Sequence, residues 1–288
     1  MPANTKYKDS VFSLLFSDPD LLRELYCALE GVTLPADVPV TINTLRDVLF
    51  MDLINDISFE IGGKLIVLLE HQSTINPNMA LRLLMYIGRV YEKIVDSKKI
   101  YAAKPLLIPR PEFFVLYNGV SPYPDDEILK LSDMFEEITS LGLPGIENVS
   151  LELVVKVINI NQGRNENITR RCRTLAGYST FIAKVREYEK VYPDRFEAIR
   201  QAVIYCRDHD ILRGFLNENG TEVMNMLMTE WNWDDALAVR FEEGREEGRE
   251  EGRNEGWEKG QEKGEQRIIE LWKSGKSLEE VLRSMAGK

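Results

Sequence analysis

The segment Asn55-Asp56-Ile57-Ser58-Phe59-Glu60-Ile61-Gly62-Gly63-Lys64-Leu65-Ile66-Val67-Leu68-Leu69-Glu70-His71-Gln72 contains two strand-like runs joined at a glycine pair. Suppose the turn takes Gly62, Gly63 and Lys64, with a glycine at φ > 0. Ile61 then opposes Leu65, Phe59 opposes Val67, Ile57 opposes Leu69, and Asp56 falls opposite Glu70. Side chains alternate across a strand, so one face reads Ile57, Phe59, Ile61, Leu65, Val67, Leu69 and is wholly apolar. The other carries Asp56, Ser58, Glu60, Glu70 and Gln72. A two-residue turn mixes these faces, and a one-residue slip inverts every side chain. The segregation therefore favours the three-residue turn.

Directly opposed residues have Cβ atoms roughly 5 Å apart. Two carboxylates at that separation repel unless they share a proton or a cation, and Mg²⁺ is held by one or two carboxylates with waters and phosphates. The plain alternative makes Asp56 a strand-edge acid and Glu70 a surface residue. Against it, Leu65 to Leu69 is apolar on both faces, the pattern of a central strand, and Glu70 ends that strand.

Residues 8–30 have helical apolar spacing, interrupted at Asp18-Pro19-Asp20. Thr41 to Phe50 is ambiguous and is a candidate for a further strand. Asn76 is expected to cap, and Pro77 to open, a helix running to about Asp96. Ala80, Leu83, Leu84, Ile87, Val90, Tyr91, Ile94 and Val95 form its expected buried stripe. Arg82, Tyr86, Arg89 and Lys93 recur at i, i+4, i+7 and i+11 on another face, as either a phosphate-facing strip or a solvated one. Glu112 to Tyr117 and Leu151 to Ile160 read as core strands, with Asn118-Gly119 a turn signal. From Glu166 onward the pattern is helical. Arg170, Arg171 and Arg173 form a basic cluster, read as a solvated helix start ahead of a DNA contact, and Met224, Met226 and Met228 are read as core or dimer contacts. Between Glu242 and Glu265 glycine recurs every fourth residue, from Gly244 to Gly264, with Glu–Arg pairs between. Interior glycines cost a helix about 1 kcal/mol each, so this repeat is read as a self-associating helix that gains from a partner. Residues 268–285 follow as a small two-helix unit.

Several of these segments also carry a family resemblance. Asn55-Asp56-Ile57-Ser58-Phe59, Leu69-Glu70-His71-Gln72-Ser73-Thr74 and Asn76-Pro77-Asn78-Met79-Ala80-Leu81-Arg82 with Tyr86 resemble the recombination-promoting nuclease/putative transposase (Rpn) family. Lys8-Asp9-Ser10-Val11-Phe12, Phe113 to Gly119 and Asn159 to Asn165 add to the likeness, as does the Glu-Glu-Gly-Arg tail. That family is a branch of the PD-(D/E)XK nuclease superfamily. The resemblance implies an α/β fold, with an α/β/α restriction-endonuclease-like core, a mixed sheet and a helical C-terminal region. It implies DNA cleavage with Mg²⁺ or Mn²⁺ and links the chain to recombination or phage defence. Asp56 and Glu70 would match the metal-binding acids, and the backbone carbonyl of His71 would complete the shell. Gln72 stands where the superfamily usually has lysine, as is usual for this branch, and would orient water. The missing cation could come from Lys8, Lys64 or Arg82, or Asp9 could supply the second acid. Asn55 replaces the superfamily's proline.

The organisation read from the sequence is a nuclease core over 1–165, a helical region over 166–241 and an oligomerisation tail over 242–288. No run reaches eighteen apolar residues and the N-terminus lacks a signal-peptide core, so a cytoplasmic location without membrane attachment is expected. Cys27, Cys172 and Cys206 are widely spaced and odd in number, which suits reduced, buried thiols. Two histidines exclude a histidine-rich metal centre. The net charge is −11, yet Lys and Arg number 12 against 13 Asp and Glu in residues 1–110, and 3 against 9 in 111–165. A local basic patch, with Arg82, Arg89 and Lys93 as candidates, would therefore have to hold DNA. Three functions are open: a metal-dependent DNA endonuclease, a nuclease fold that binds DNA without cutting it, and a homo-oligomer (a dimer through the C-terminal helices) whose tail is its main device.

Overall fold

The computed structural model describes residues 11–43, 57–136, 138, 149–228, 249, 253 and 266. The glycine pair makes the turn that the alternation requires. Gly62 and Gly63 have φ of 60° and 65°, and the Lys64 N–H donates to the Ile61 carbonyl at 3.1 Å. β1 (Val40–Ile42), β2 (Ile57–Ile61) and β3 (Leu65–Gln72) then form an antiparallel meander. Ile57 faces Leu69, Phe59 faces Val67 and Ile61 faces Leu65, which is the predicted register.

β4 (Arg110–Tyr117), β5 (Asp126–Lys130) and β6 (Val154–Asn159) complete a mixed six-stranded sheet in the order β1-β2-β3-β4-β6-β5. β3, β4 and β6 run parallel, and β5 closes one edge antiparallel to β6. β3 is central, and five of its eight residues are buried, as expected of a strand apolar on both sides. β5 was not foreseen. Its Asp-Glu-Ile-Leu-Lys sequence alternates exposed and half-buried positions and pairs along one side only, so it carries the charge that edge strands use against further pairing.

Helices cover both faces, giving an α/β fold. On one side lie α1 (Val11–Leu15) and α2 (Pro19–Glu30), separated where Asp18 caps α2 by accepting the Asp20 N–H at 2.7 Å. They are joined there by α4 (Glu166–Thr169), α5 (Arg173–Glu189), α6 (Arg195–Asp208) and a helix over 213–228. Phe59, Val67, Leu69, Phe114, Leu116 and Ile158 meet them in one core cluster. Met224, Met226 and Met228 pack against that core partly buried. The other face is covered by α3 (Met79–Ile94), whose Met79, Leu83, Tyr86 and Val90 pack on Ile66, Leu68, Val115 and Val157. α3 starts at Met79 rather than Pro77, because the Asn76 side chain accepts the Asn78 N–H at 2.9 Å and closes a turn before the helix. Its buried stripe is also rotated: Tyr86 is a core residue and Ile94, beyond the sheet, is 43% exposed.

The chain divides into two compact units, residues 1–231 and 232–288. Lys8, Asp9, Asn55, Asp56, most of Thr41–Phe50, and the glycine-repeat and two-helix tail apart from residues 249, 253 and 266 lie outside the described residues. No helix among the described residues is long and apolar enough to cross a membrane. The three cysteines are free. Burial pushes the Cys172 thiol up to about 12 and that of Cys206 to about 11, so both stay protonated.

Candidate functional site

The parallel strands place three polar segments side by side. Gln72 pairs with Tyr117 and Tyr117 with Asn159, so Glu70-His71-Gln72, Tyr117-Asn118-Gly119 and Asn159-Ile160-Asn161 end at one edge of the sheet. The crevice beyond the carboxyl ends of strands is where open α/β sheets bind ligands.

On the α3 side, Glu70 continues the face of Ile66 and Leu68 and is only 3% exposed. Arg82, one turn into α3, donates from Nη2 to Glu70 Oε2 at 3.3 Å and to the Tyr86 hydroxyl at 3.0 Å. A buried carboxylate needs such compensation, since desolvating an isolated charge costs several kcal/mol. Tyr86, four residues along α3, fixes the guanidinium from behind. Gln72 donates from Nε2 to Met79 Sδ at 2.8 Å, and Arg82 Nη1 reaches the same sulfur at 3.3 Å. Glu70, Gln72, Arg82 and Tyr86 therefore form one cluster. Lys64 cannot join it, because it sits in the hairpin turn six residues back along β3, about 20 Å away. Arg89 is half-buried and Lys93 exposed farther along α3, on the same helical face as Arg82.

The His71 ring belongs to the opposite face. It stacks on Phe12 at 4.9 Å between centroids, and its Nε2 lies 3.1 Å from the Tyr178 hydroxyl. Burial, helped by the nearby Arg186 charge, lowers its pKa to about 3, so the imidazole is neutral at ordinary pH. The His71 ring is therefore spent on Phe12 and Tyr178 and does not face Glu70.

Arg186 on α5 ties the strand ends together. Its Nη1 donates to Asn118 Oδ1 at 3.0 Å and Asn161 Oδ1 at 2.9 Å, and its Nη2 to the Asn118 carbonyl. Asn161 Nδ2 donates to the Gly119 carbonyl at 3.1 Å, and the Asn118 N–H to the Gln72 carbonyl at 2.8 Å. Gly119 is needed for close approach: a Cβ there would lie 2.0 Å from the Ser73 carbonyl oxygen and 2.4 Å from the Tyr117 hydroxyl. Asn118-Gly119, a turn signal in the sequence, is here part of a strand-end network, and nothing in its local sequence points to Arg186. One signal was available: Arg186 falls seven residues after Ser179 and four after Ile182, on the stripe that α5 buries.

Among the described residues, no group of three or more His, Cys, Asp or Glu gathers to hold a metal. The carboxylate on this side among the described residues is Glu70, already paired with Arg82. A buried carboxylate is a hard oxygen donor of the kind that Mg²⁺ or Mn²⁺ takes, one or two at a time, together with substrate phosphates. The register of β2 and β3 is the one from which Asp56 was derived as the partner of Glu70, and Asp56 itself lies outside the described residues.

The description "Putative transposase, YhgA-like" matches residues 19–190, and the chain belongs to that family. The matched span takes in β1 to β6 and ends just past Arg186. No curated protein and no solved structure matches the chain.

Proposed function

We propose that this member of the YhgA-like putative transposase family is a metal-dependent DNA endonuclease of the PD-(D/E)XK type. The observation that carries the reading is the buried Glu70 at the end of the central strand, held 3.3 Å from the Arg82 guanidinium. Asp56, Glu70 and the His71 carbonyl would hold Mg²⁺ or Mn²⁺. Such an ion supplies Lewis acidity at a phosphoryl oxygen and lowers the pKa of bound water. Arg82, which keeps its charge at any working pH, offers fixed N–H donors for charge developing on a phosphate. Tyr86 holds that guanidinium in place, and Gln72 has an amide with which to orient water. Wild-type protein is expected to nick supercoiled plasmid in Mg²⁺ or Mn²⁺. EDTA, Asp56→Ala and Glu70→Gln should each abolish nicking while far-UV circular dichroism stays native. Undiminished cutting by either variant refutes the site.

A second reading, DNA binding without cleavage, is favoured by Gln72. It stands where the superfamily carries lysine, and its amide nitrogen contacts the Met79 sulfur. It predicts binding without nicking in every divalent metal.

A further inference from the structure

Residues 93–110 carry a charge opposite to that of the chain. Five of the Lys and Arg residues fall there (Lys93, Lys98, Lys99, Lys104, Arg110) against the single acid Asp96, in a chain of net charge −11. Arg110 is paired with Glu112. The four lysines are exposed, and none makes an ion pair among the described residues. The same stretch holds large apolar side chains in solvent: Tyr101 is 90% and Leu107 92% exposed. Its shape is built. The Asp96 side chain accepts the Lys98 N–H at 3.0 Å, Lys99–Tyr101 forms a 3₁₀ turn, and the Tyr91 hydroxyl donates to the Pro109 carbonyl at 2.7 Å.

We infer that residues 96–108 are a second DNA contact, gripping the duplex away from the Glu70–Arg82 end of α3. The inference rests on the DNA reading above and adds the element that holds the substrate. Its lysines would neutralise phosphates, and Tyr101 and Leu107 would enter the minor groove as apolar wedges. α3 joins the two contacts. Arg82, Arg89 and Lys93 recur on one face at i, i+7 and i+11, and lead from Glu70 to the protrusion. Sixteen residues of helix span about 24 Å, the rise of about seven base pairs. That continuity favours DNA over an anionic lipid surface, which would value the same lysines and apolar tips but not a basic line running back to Glu70. It also reconciles an acidic chain with a polyanionic partner, since the attraction is concentrated in one stretch.

The test is fluorescence polarisation of a labelled DNA duplex in EDTA, so that cutting plays no part, across a salt series. Lys98→Glu/Lys99→Glu/Lys104→Glu should weaken binding by about tenfold or more at 0.1 M salt and reduce the salt slope by about 3. Tyr101→Ala/Leu107→Ala should weaken it by about three- to tenfold with the slope kept, and the three-Lys→Arg variant should bind like wild type. Unchanged affinity and slope in the Glu variant overturn the inference. So does an equal loss in the Arg variant, or wild-type binding to phosphatidylserine vesicles but not to DNA. If the Glu variant still binds and nicks plasmid normally, the protrusion is not a DNA contact and the endonuclease reading stands. If wild type binds through the protrusion yet cuts in no metal, the endonuclease reading falls and the contact stands.

Discussion

Replacing Arg82 by methionine should destabilise the fold by an amount that its partners set. The side chain is of similar length, so the perturbation is the loss of charge and donors. At 3.3 Å the attraction between Arg82 and Glu70 is roughly 5 kcal/mol gross at an effective dielectric constant of about 20. The Arg82 side chain is 28% exposed, so water screens part of this, whereas Glu70 at 3% gains little solvent when its partner leaves. About 2 kcal/mol of net charge penalty follows, below the 3–5 kcal/mol for breaking a fully buried pair. Loss of the 3.0 Å bond to the Tyr86 hydroxyl adds about 1 kcal/mol. The variant should therefore lose about 3 kcal/mol at pH 7.5. Urea unfolding measures this, and a double-mutant cycle with Glu70→Gln should return about 2 kcal/mol of coupling, because the neutral amide removes the charge that Arg82 compensates. A deficit under about 0.5 kcal/mol, or a coupling near zero, would refute the reasoning.

Two further outcomes follow from the packing on either side of the strand ends. His71 has its pKa lowered to about 3, so the unfolded chain binds its proton first and stability falls as pH drops from about 6.5 towards 3. At most this costs about 1.4 kcal/mol per pH unit. In His71→Phe the stability difference between pH 7 and pH 4.5 should shrink by up to about 2.5 kcal/mol, and an unchanged difference by urea unfolding would show that the ring is not held neutral. Gly119→Ala places a methyl group 2.0 Å from a backbone carbonyl, which no rotamer change relieves, so a loss of about 3 kcal/mol or more in urea is expected and near-wild-type stability would contradict the close approach.

Much of the sheet was legible in the sequence because its physics is local. The Gly62-Gly63 pair, the period-two alternation and the doubly apolar run of β3 leave one register that buries one face cleanly. What was hidden depended on distant partners. The α3 stripe was read with Ile94 inside and Tyr86 outside. Burial along the helix runs from Met79 to Val90 and leaves Ile94 exposed, and Arg82 gives the Tyr86 hydroxyl a buried partner. Asn76 looked like a cap, but its side chain is spent on the turn that Pro77 begins. β5 escaped notice because a charged strand paired on one side has no apolar face to declare it. The role of Arg186 could be guessed only from its place on a buried stripe, since Asn118 and Asn161 lie 68 and 25 residues away in the chain. Within the candidate site, Glu70, Gln72 and Arg82 were legible from motif and spacing, whereas the Met79 sulfur that Gln72 and Arg82 share was not.

The geometry bears on what Gln72 leaves undone. An amide neither carries charge nor accepts a proton at working pH, so a cutting site with Gln72 on the strand must obtain its positive charge elsewhere. Lys64 is too far, and among the described residues Arg82 is the cation already within reach of Glu70. A guanidinium, though, remains protonated where an amine could release its proton. Within the endonuclease reading this divides roles that lysine can combine. Arg82 serves charge and position, and the attacking water has to lose its proton to the phosphate, to solvent or to a carboxylate. Glu70 is constrained in that last role by the same ion pair that permits its burial, because its Oε2 already accepts from Arg82 Nη2 at 3.3 Å. An oxygen outside the pair is therefore the better acceptor, which is a physical reason for the second acid of the reading, Asp56, to matter beyond holding an ion.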